Sequence, residues 1–212
     1  MTSLHRLAHH RRSLFIPAAW CVAAVLLTSC GGSGSNPLDN PPLVTNPAGT
    51  SGQKLSYAYF QRCINPIFLA ALPITVNGVT SVNTCAGAGC HDNTTGTGGA
   101  LRLDPAAQPF DLANPANTQS LIRDSAMYKN FYSARGEVVL GNPTQSRLLA
   151  KPLLLNVLHG GGLIFASDTD PNVKRIKYWM SHPAPQGQDE FSTASYNMFT
   201  PADPNTGTCN TE

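Results

Sequence analysis

The sequence predicts a mainly α domain, built of short helices joined by long loops, with room for a small β-hairpin. Two observations carry that expectation. Apolar residues recur at spacings of three and four, but only in short bursts. The 212 residues also include 18 Gly and 17 Pro, too many for a regular bundle. Taken in order, Tyr57, Phe60, Ile64, Ile67 and Phe68 mark the apolar face of a helix over 54–69, with Pro66 placed to kink or break it. Leu121, Ile122, Ser125, Tyr128 and Tyr132 fall near one face of a second helix over 118–133. Asn142-Pro143 reads as an N-cap followed by Pro at the first helical position, opening a short helix through about Ala150. Asp170-Pro171 repeats that grammar ahead of Val173, Ile176 and Met180, with Trp179 beside them. Residues 189–198 suit a last helix. Strand signals are weak and fall at 75–79 and 137–140.

The chain begins with a different composition. Arg6, Arg11 and Arg12 precede an apolar run from Leu14 to Leu27, with no acidic residue among them. That run, about 14 residues against the ~20 needed to span a bilayer, has the length of a secretory signal. Leu27-Thr28-Ser29-Cys30-Gly31-Gly32 follows, and it resembles a bacterial lipobox. The resemblance implies a signal peptide over 1–29 and lipidation of Cys30 as the new N-terminus. The competing expectations are an ordinary secretory peptide cleaved nearby, or an uncleaved anchor. Gly31, where Asp would favour inner-membrane retention, implies the outer membrane; which side of it is not encoded. Residues 30–53 are rich in Gly, Ser, Asn and Pro, as a flexible tether is. Residues 54–212 are then one domain of ordinary size, able to bury a real core.

Removing the signal resets the charge. The full chain carries 14 Lys+Arg and 12 Asp+Glu, a net +2. Three arginines leave with the signal, so the mature chain is close to neutral at −1, and nothing points to nucleic acid. His5, His9 and His10 leave too, which restricts histidine chemistry to His91, His159 and His182.

With Cys21 in the signal and Cys30 lipidated, four cysteines remain: Cys63, Cys85, Cys90 and Cys209. An even set in an oxidising compartment usually means disulfides. Cys90, however, stands directly before His91 in Thr84-Cys-Ala-Gly-Ala-Gly-Cys-His-Asp92. This resembles a c-type haem attachment site, in which two thiols form thioethers with the haem and the following histidine ligates iron. Two residues normally separate the cysteines; four do so here, with Gly87 and Gly89 easing the wider loop. Further on come Leu101-Arg-Leu-Asp104, Gly141-Asn-Pro-Thr-Gln-Ser-Arg-Leu-Leu149 with Lys151-Pro152, His159-Gly-Gly-Gly162, and Ile176 with Tyr178-Trp179. Their order over about 58–183 resembles the cytochrome c-like domains of secreted and lipid-anchored bacterial proteins.

That resemblance implies a cytochrome c-like fold, one covalent haem c on Cys85 and Cys90, and an electron-transfer role rather than an enzymatic one. His91 is the expected proximal ligand. The distal-ligand stretch lacks methionine but offers His159, so His91 and His159 are the expected axial pair. Bis-histidine ligation requires the two rings to face each other, their nitrogens about 4 Å apart. A filled iron leaves no position for substrate, and a second imidazole lowers the potential relative to a Met/His pair. Cys63 and Cys209 are left to form a disulfide. The partners implied are a redox protein and, through the lipid anchor, the membrane. Met127, Met180 and Met198 are weaker ligand candidates and read as packing, and His182 reads as a solvated helix-end residue. Trp179, Tyr128, Phe131 and Tyr132 could line a haem crevice or simply be core. Arg147 and Lys151 are candidate partners for the haem propionates. Two other functions compete: a structural or adhesive lipoprotein with Cys85–Cys90 and Cys63–Cys209 disulfides, and a zinc site of Cys85, Cys90, His91 and His159. Hydrolase chemistry has no Gly-x-Ser-x-Gly elbow or paired-carboxylate motif to rest on.

Overall fold

In the computed structural model, residues 52–212 are described; the signal segment, Cys30 and the tether up to residue 51 lie outside them. The expected first helix is continuous but changes its winding. Ser56 caps α1 (Tyr57–Tyr59), its hydroxyl accepting from the Tyr59 N–H. A π-helical turn follows over Phe60–Ile64, and then α2 (Asn65–Leu69). Pro66 has no N–H to give the preceding turn. In the widened turn Asn65 N–H bonds back to Phe60 O, so Pro66 falls at the start of a new α segment, where no such bond is needed. The helix therefore shifts register at Pro66 without breaking.

The second expected helix divides in two. Ser125 turns its side chain back to cap the Tyr128 N–H, which ends α3 (Gln119–Arg123) and starts α4 (Ala126–Arg135). The segment after Asn142 also divides, into a 3-10 turn (Pro143–Gln145) and α5 (Arg147–Ala150). Asn142 does not cap; its Oδ1 accepts from the Thr144 hydroxyl instead. Asp170 does cap α6 (Pro171–Ser181), accepting from the Asn172 N–H. The last expected helix is a 3-10 segment over Thr193–Met198.

The core is aromatic and lies where α1, α4 and α6 meet. Phe60, Phe131 and Trp179 are fully buried, with Phe60 5.4 Å from each of the other two rings. Trp179 Nε1–H donates to Ser56 O at 2.9 Å, which satisfies the one polar atom that ring carries inward. Buried Asn130 cross-links the layers, donating to Asn65 Oδ1 and Asp104 O and accepting from the Asp104 N–H. The Glu190 carboxylate, 5 % exposed, accepts from Arg123 and from the Tyr128 hydroxyl. Met127, Met180 and Met198 are buried in this core. A disulfide joins Cys63 to Cys209, 146 residues apart, tying the first helix to the C-terminal tail.

The strands differ from expectation. β1 (Leu72–Val76) and β2 (Val79–Asn83) form an antiparallel hairpin around Asn77-Gly78, both at positive φ. Asn-Gly is the pair that a tight hairpin turn prefers. The 137–140 segment is a turn. Ser146 Oγ accepts the Val139 N–H that a strand would have offered to a neighbour. Two-residue strands β3 (Phe199–Thr200) and β4 (Thr208–Cys209) close the C-terminus. Among the described residues no helix is long and apolar enough to cross a membrane.

Candidate functional site

The hairpin organises both histidine-bearing loops. On one side β2 runs directly into Thr84 and Cys85. On the other, Thr75 of β1 pairs with Leu163 through two backbone hydrogen bonds of 2.9 Å, which anchors the loop carrying His159. Gly162 makes that approach feasible. Its φ is +74°, and a Cβ there would lie 2.2 Å from Thr75 O.

The cysteine loop is held largely through its backbone. Ala86 N–H donates to Phe68 O at the end of α2, His91 N–H donates to Cys85 O, and Leu103 N–H donates to His91 O at 2.7 Å. Asp92 accepts at one oxygen from the N–H and hydroxyl groups of Thr94 and Thr95. These bonds hold its carboxyl well below the usual carboxylate range and fix the chain as it leaves His91. Cys85 and Cys90 are both half-buried and both free thiols. Burial, with the neighbouring Cys90 thiol adding to it, pushes the Cys85 thiol up to about 11, so it is protonated at neutral pH.

His91 and His159, 68 positions apart in the chain, come together with nearly parallel rings, 13° between planes and 6.2 Å between centres. Two metal–nitrogen bonds of about 2 Å, extended by roughly 1 Å to each ring centre, would set the centres about 6 Å apart where both rings lie end-on to one metal. Each ring is oriented by a backbone carbonyl. His91 Nδ1–H donates to Leu101 O at 3.1 Å, and His159 Nδ1–H donates to Gly162 O at 2.8 Å. Nδ1 is thereby committed in both, and Nε2 is the nitrogen left to bind. This is how metal-ligating histidines are usually fixed. Burial lowers the proton affinity of both rings, against the pull of those carbonyls, and keeps them neutral as ligands must be. Glycines make room on both sides. A Cβ at Gly98 would lie 2.6 Å from His91 Nδ1, and one at Gly161 would lie 3.1 Å from His159 Cε1.

Comparison with known proteins finds no matching family model, no similar curated protein and no similar solved structure. The geometry therefore stands by itself. It does not gather Cys85, Cys90, His91 and His159 around one point: among the described residues no three His, Cys, Asp or Glu side chains group as a metal site. That removes the support for a Cys₂His₂ zinc centre. The disulfide-only arrangement loses its Cys85–Cys90 bond, since both thiols are free. His182 stands apart, stacked on Tyr178 at 3.9 Å with its Nδ1–H on Tyr178 O. Of the crevice candidates, Trp179 and Phe131 are buried core and Tyr128 holds Glu190, whereas Tyr132 is exposed. Sequence reasoning missed Gly98 as the packing partner of His91, and the two carbonyls that orient the rings. Gly98 could have been suspected from Gly96-Thr-Gly-Gly99, a loop too glycine-rich to be a mere spacer.

Proposed function

We propose that this protein is a monohaem c-type electron-transfer protein, with haem attached at Cys85 and Cys90 and His91 and His159 as axial ligands. The observation that carries the reading is the histidine pair: nearly parallel rings with centres 6.2 Å apart, each with Nδ1 committed to a carbonyl, an arrangement two axial imidazoles sharing one iron would also show if each ring plane contained the metal. Free thiols at Cys85 and Cys90, immediately before one of those rings, support it further. So do Val76, Val79, Val82, Leu154, Leu155 and Leu158, exposed aliphatic residues on the same two segments, which suit contact with a flat apolar ring.

When bound, the haem would supply one reversible electron at iron. The chain's residues do the rest. His91 and His159 would hold the iron between them, leaving no position for a substrate, so the assignment is transfer and not catalysis. Leu101 O and Gly162 O hold the imidazoles in one tautomer, so the ligands need little rearrangement between oxidation states. The fold proposed is cytochrome c-like. The lipidated Cys30, the tether and an outer-membrane location complete the proposal, and a redox protein is the implied partner.

Expression with a c-type maturation system tests it. The expected result is a covalent mass increase of one haem and a Soret band that sharpens and shifts on reduction with dithionite. His159→Ala should keep the covalent haem but lose the low-spin spectrum. A wild-type product with neither mass increase nor Soret band would end the reading.

A further inference from the structure

We propose that the cavity formed by the first helix, α6 and the C-terminal tail binds a phosphate group, held by the guanidinium groups of Arg62 and Arg175. The inference does not depend on the haem reading. The cavity has a volume of about 550 Å³, in the range of small-molecule sites. The first helix lines it with Arg62, Pro66 and Ile67, and α6 lines it with Asn172 and Arg175. The Cys63–Cys209 disulfide, which also lines it, fixes the tail against the first helix and so gives the cavity a covalent frame.

The charge of the lining is one-sided. It contains two arginines and no Asp or Glu. Each guanidinium is pinned at one nitrogen: Arg62 Nε–H donates to Gly207 O and Arg175 Nη1–H donates to Asn172 Oδ1, both at 3.1 Å. Their remaining N–H groups have no protein partner. Neither residue enters an ion pair among the described residues, whose pairs use Arg123, Lys174 and Lys177. Asp203 is the acid whose charge reaches Arg62, but it lies outside the lining and accepts from the Asn205 N–H and from the Thr206 N–H and hydroxyl. The charge of Arg175 reaches Tyr59, a phenol that burial keeps protonated and uncharged. Two anchored forks on separate helices match an anion that offers oxygens in several directions. A tetrahedral phosphate does so, whereas a carboxylate offers its two oxygens in one plane. A phosphate monoester also brings about two negative charges to meet the two cations. Pro66 and Ile67 leave room for a small apolar body beside it.

The test titrates the full chain with phenyl phosphate, read by calorimetry and by ¹H–¹⁵N NMR. Wild type should bind, shifting the amides of Ile67, Thr208 and Cys209 and leaving that of Met127 in place. Arg62→Gln and Arg175→Gln should each weaken binding about tenfold or more. The matching Lys variants should retain part of the affinity, since they keep the charge and lose the fork. Benzoate should bind more weakly than phenyl phosphate. Lys177→Gln, which removes an α6 cation outside the cavity, should change nothing. A wild type that does not bind, unmoved cavity amides, or an Arg62→Gln, Arg175→Gln double variant of unchanged affinity overturns the site. Equal weakening by Lys177→Gln overturns it too, because general charge would then explain the attraction. If the Gln variants fail to fold, the Lys variants decide: reduced affinity supports the site and unchanged affinity overturns it. Dihexanoyl phosphatidic acid, a soluble lipid headgroup, is the second probe. Tighter binding than phenyl phosphate, lost in the same variants, assigns the site to a headgroup, and weaker binding assigns it to a free monoester.

Discussion

The two sides of the domain are ordered by different means. On the core side position comes from volume: Phe60, Phe131 and Trp179 are fully buried and interlocked. On the histidine side position comes from backbone. The rings rest on the carbonyls of Leu101 and Gly162, and their loops are stitched to β1, α2 and Leu103 by N–H···O bonds, with glycines admitting close approach. The difference shows that two loops tied down largely by backbone hydrogen bonds can hold two rings within 13° of parallel. It also implies that the sides fail separately: truncating a core ring should cost stability without disturbing the pair, and crowding a loop glycine should do the reverse.

The largest effect expected is from Trp179→Ala. It removes a fully buried ring and leaves Ser56 O with the Phe60 N–H alone, at a cost of about 3–5 kcal/mol in denaturant unfolding. Under conditions where the variant remains folded, ¹⁵N NMR of the imidazoles should still show Nδ1-protonated His91 and His159. A changed tautomer in the folded variant would break the separation. Gly98→Ala should cost less, about 1–3 kcal/mol as an overpacking effect. Its added methyl would meet His91 Nδ1 and Cys90 O, each at 2.6 Å, so the His91 signal should change while His159 keeps its own. An unchanged His91 signal would show that the loop yields more easily than its hydrogen bonds suggest.

The core side was the more legible in sequence, and the reason is physical. Tyr57, Phe60, Ile64, Val173, Ile176 and Trp179 announce themselves because side-chain volume must recur with the helical period to be buried. Capping at Asp170 was readable, whereas at Asn142 the same grammar failed because the side chain found Thr144 instead. The π turn at Phe60–Ile64 has no signature beyond Pro66. The hairpin was misplaced although Asn77-Gly78 marks its turn, because β2 is exposed along its whole length and lacks the alternation that strands are recognised by. At the site, residue types pointed to His91 and His159 through their neighbours, Cys90 and the glycines. The carbonyls of Leu101 and Gly162 could not be read, since every residue carries one and only folding selects which is used.

The smallest effect separates the two sides by pH. His91 and His159 have lowered proton affinity in the folded domain, chiefly through burial, while a histidine in the unfolded chain titrates near 6.5. As pH falls through that value the unfolded chain takes up protons that the folded one refuses, so the haem-free domain should lose stability from there downward. Glu190 behaves differently. Its burial favours the neutral acid, but the Tyr128 hydroxyl and the Arg123 guanidinium outweigh burial and hold the carboxyl below its ordinary value of 4.5. Its contribution is complete above 4.5 and is lost as pH falls through the depressed value. Denaturant unfolding of the haem-free domain between pH 8 and pH 3.5 should therefore show two declines. A His91→Asn, His159→Asn double variant should remove the upper decline and leave the lower, and Glu190→Gln should weaken the lower and leave the upper. An upper decline that survives the loss of both histidines would place acid sensitivity elsewhere, and the paired rings would then be less shielded from water than their burial implies.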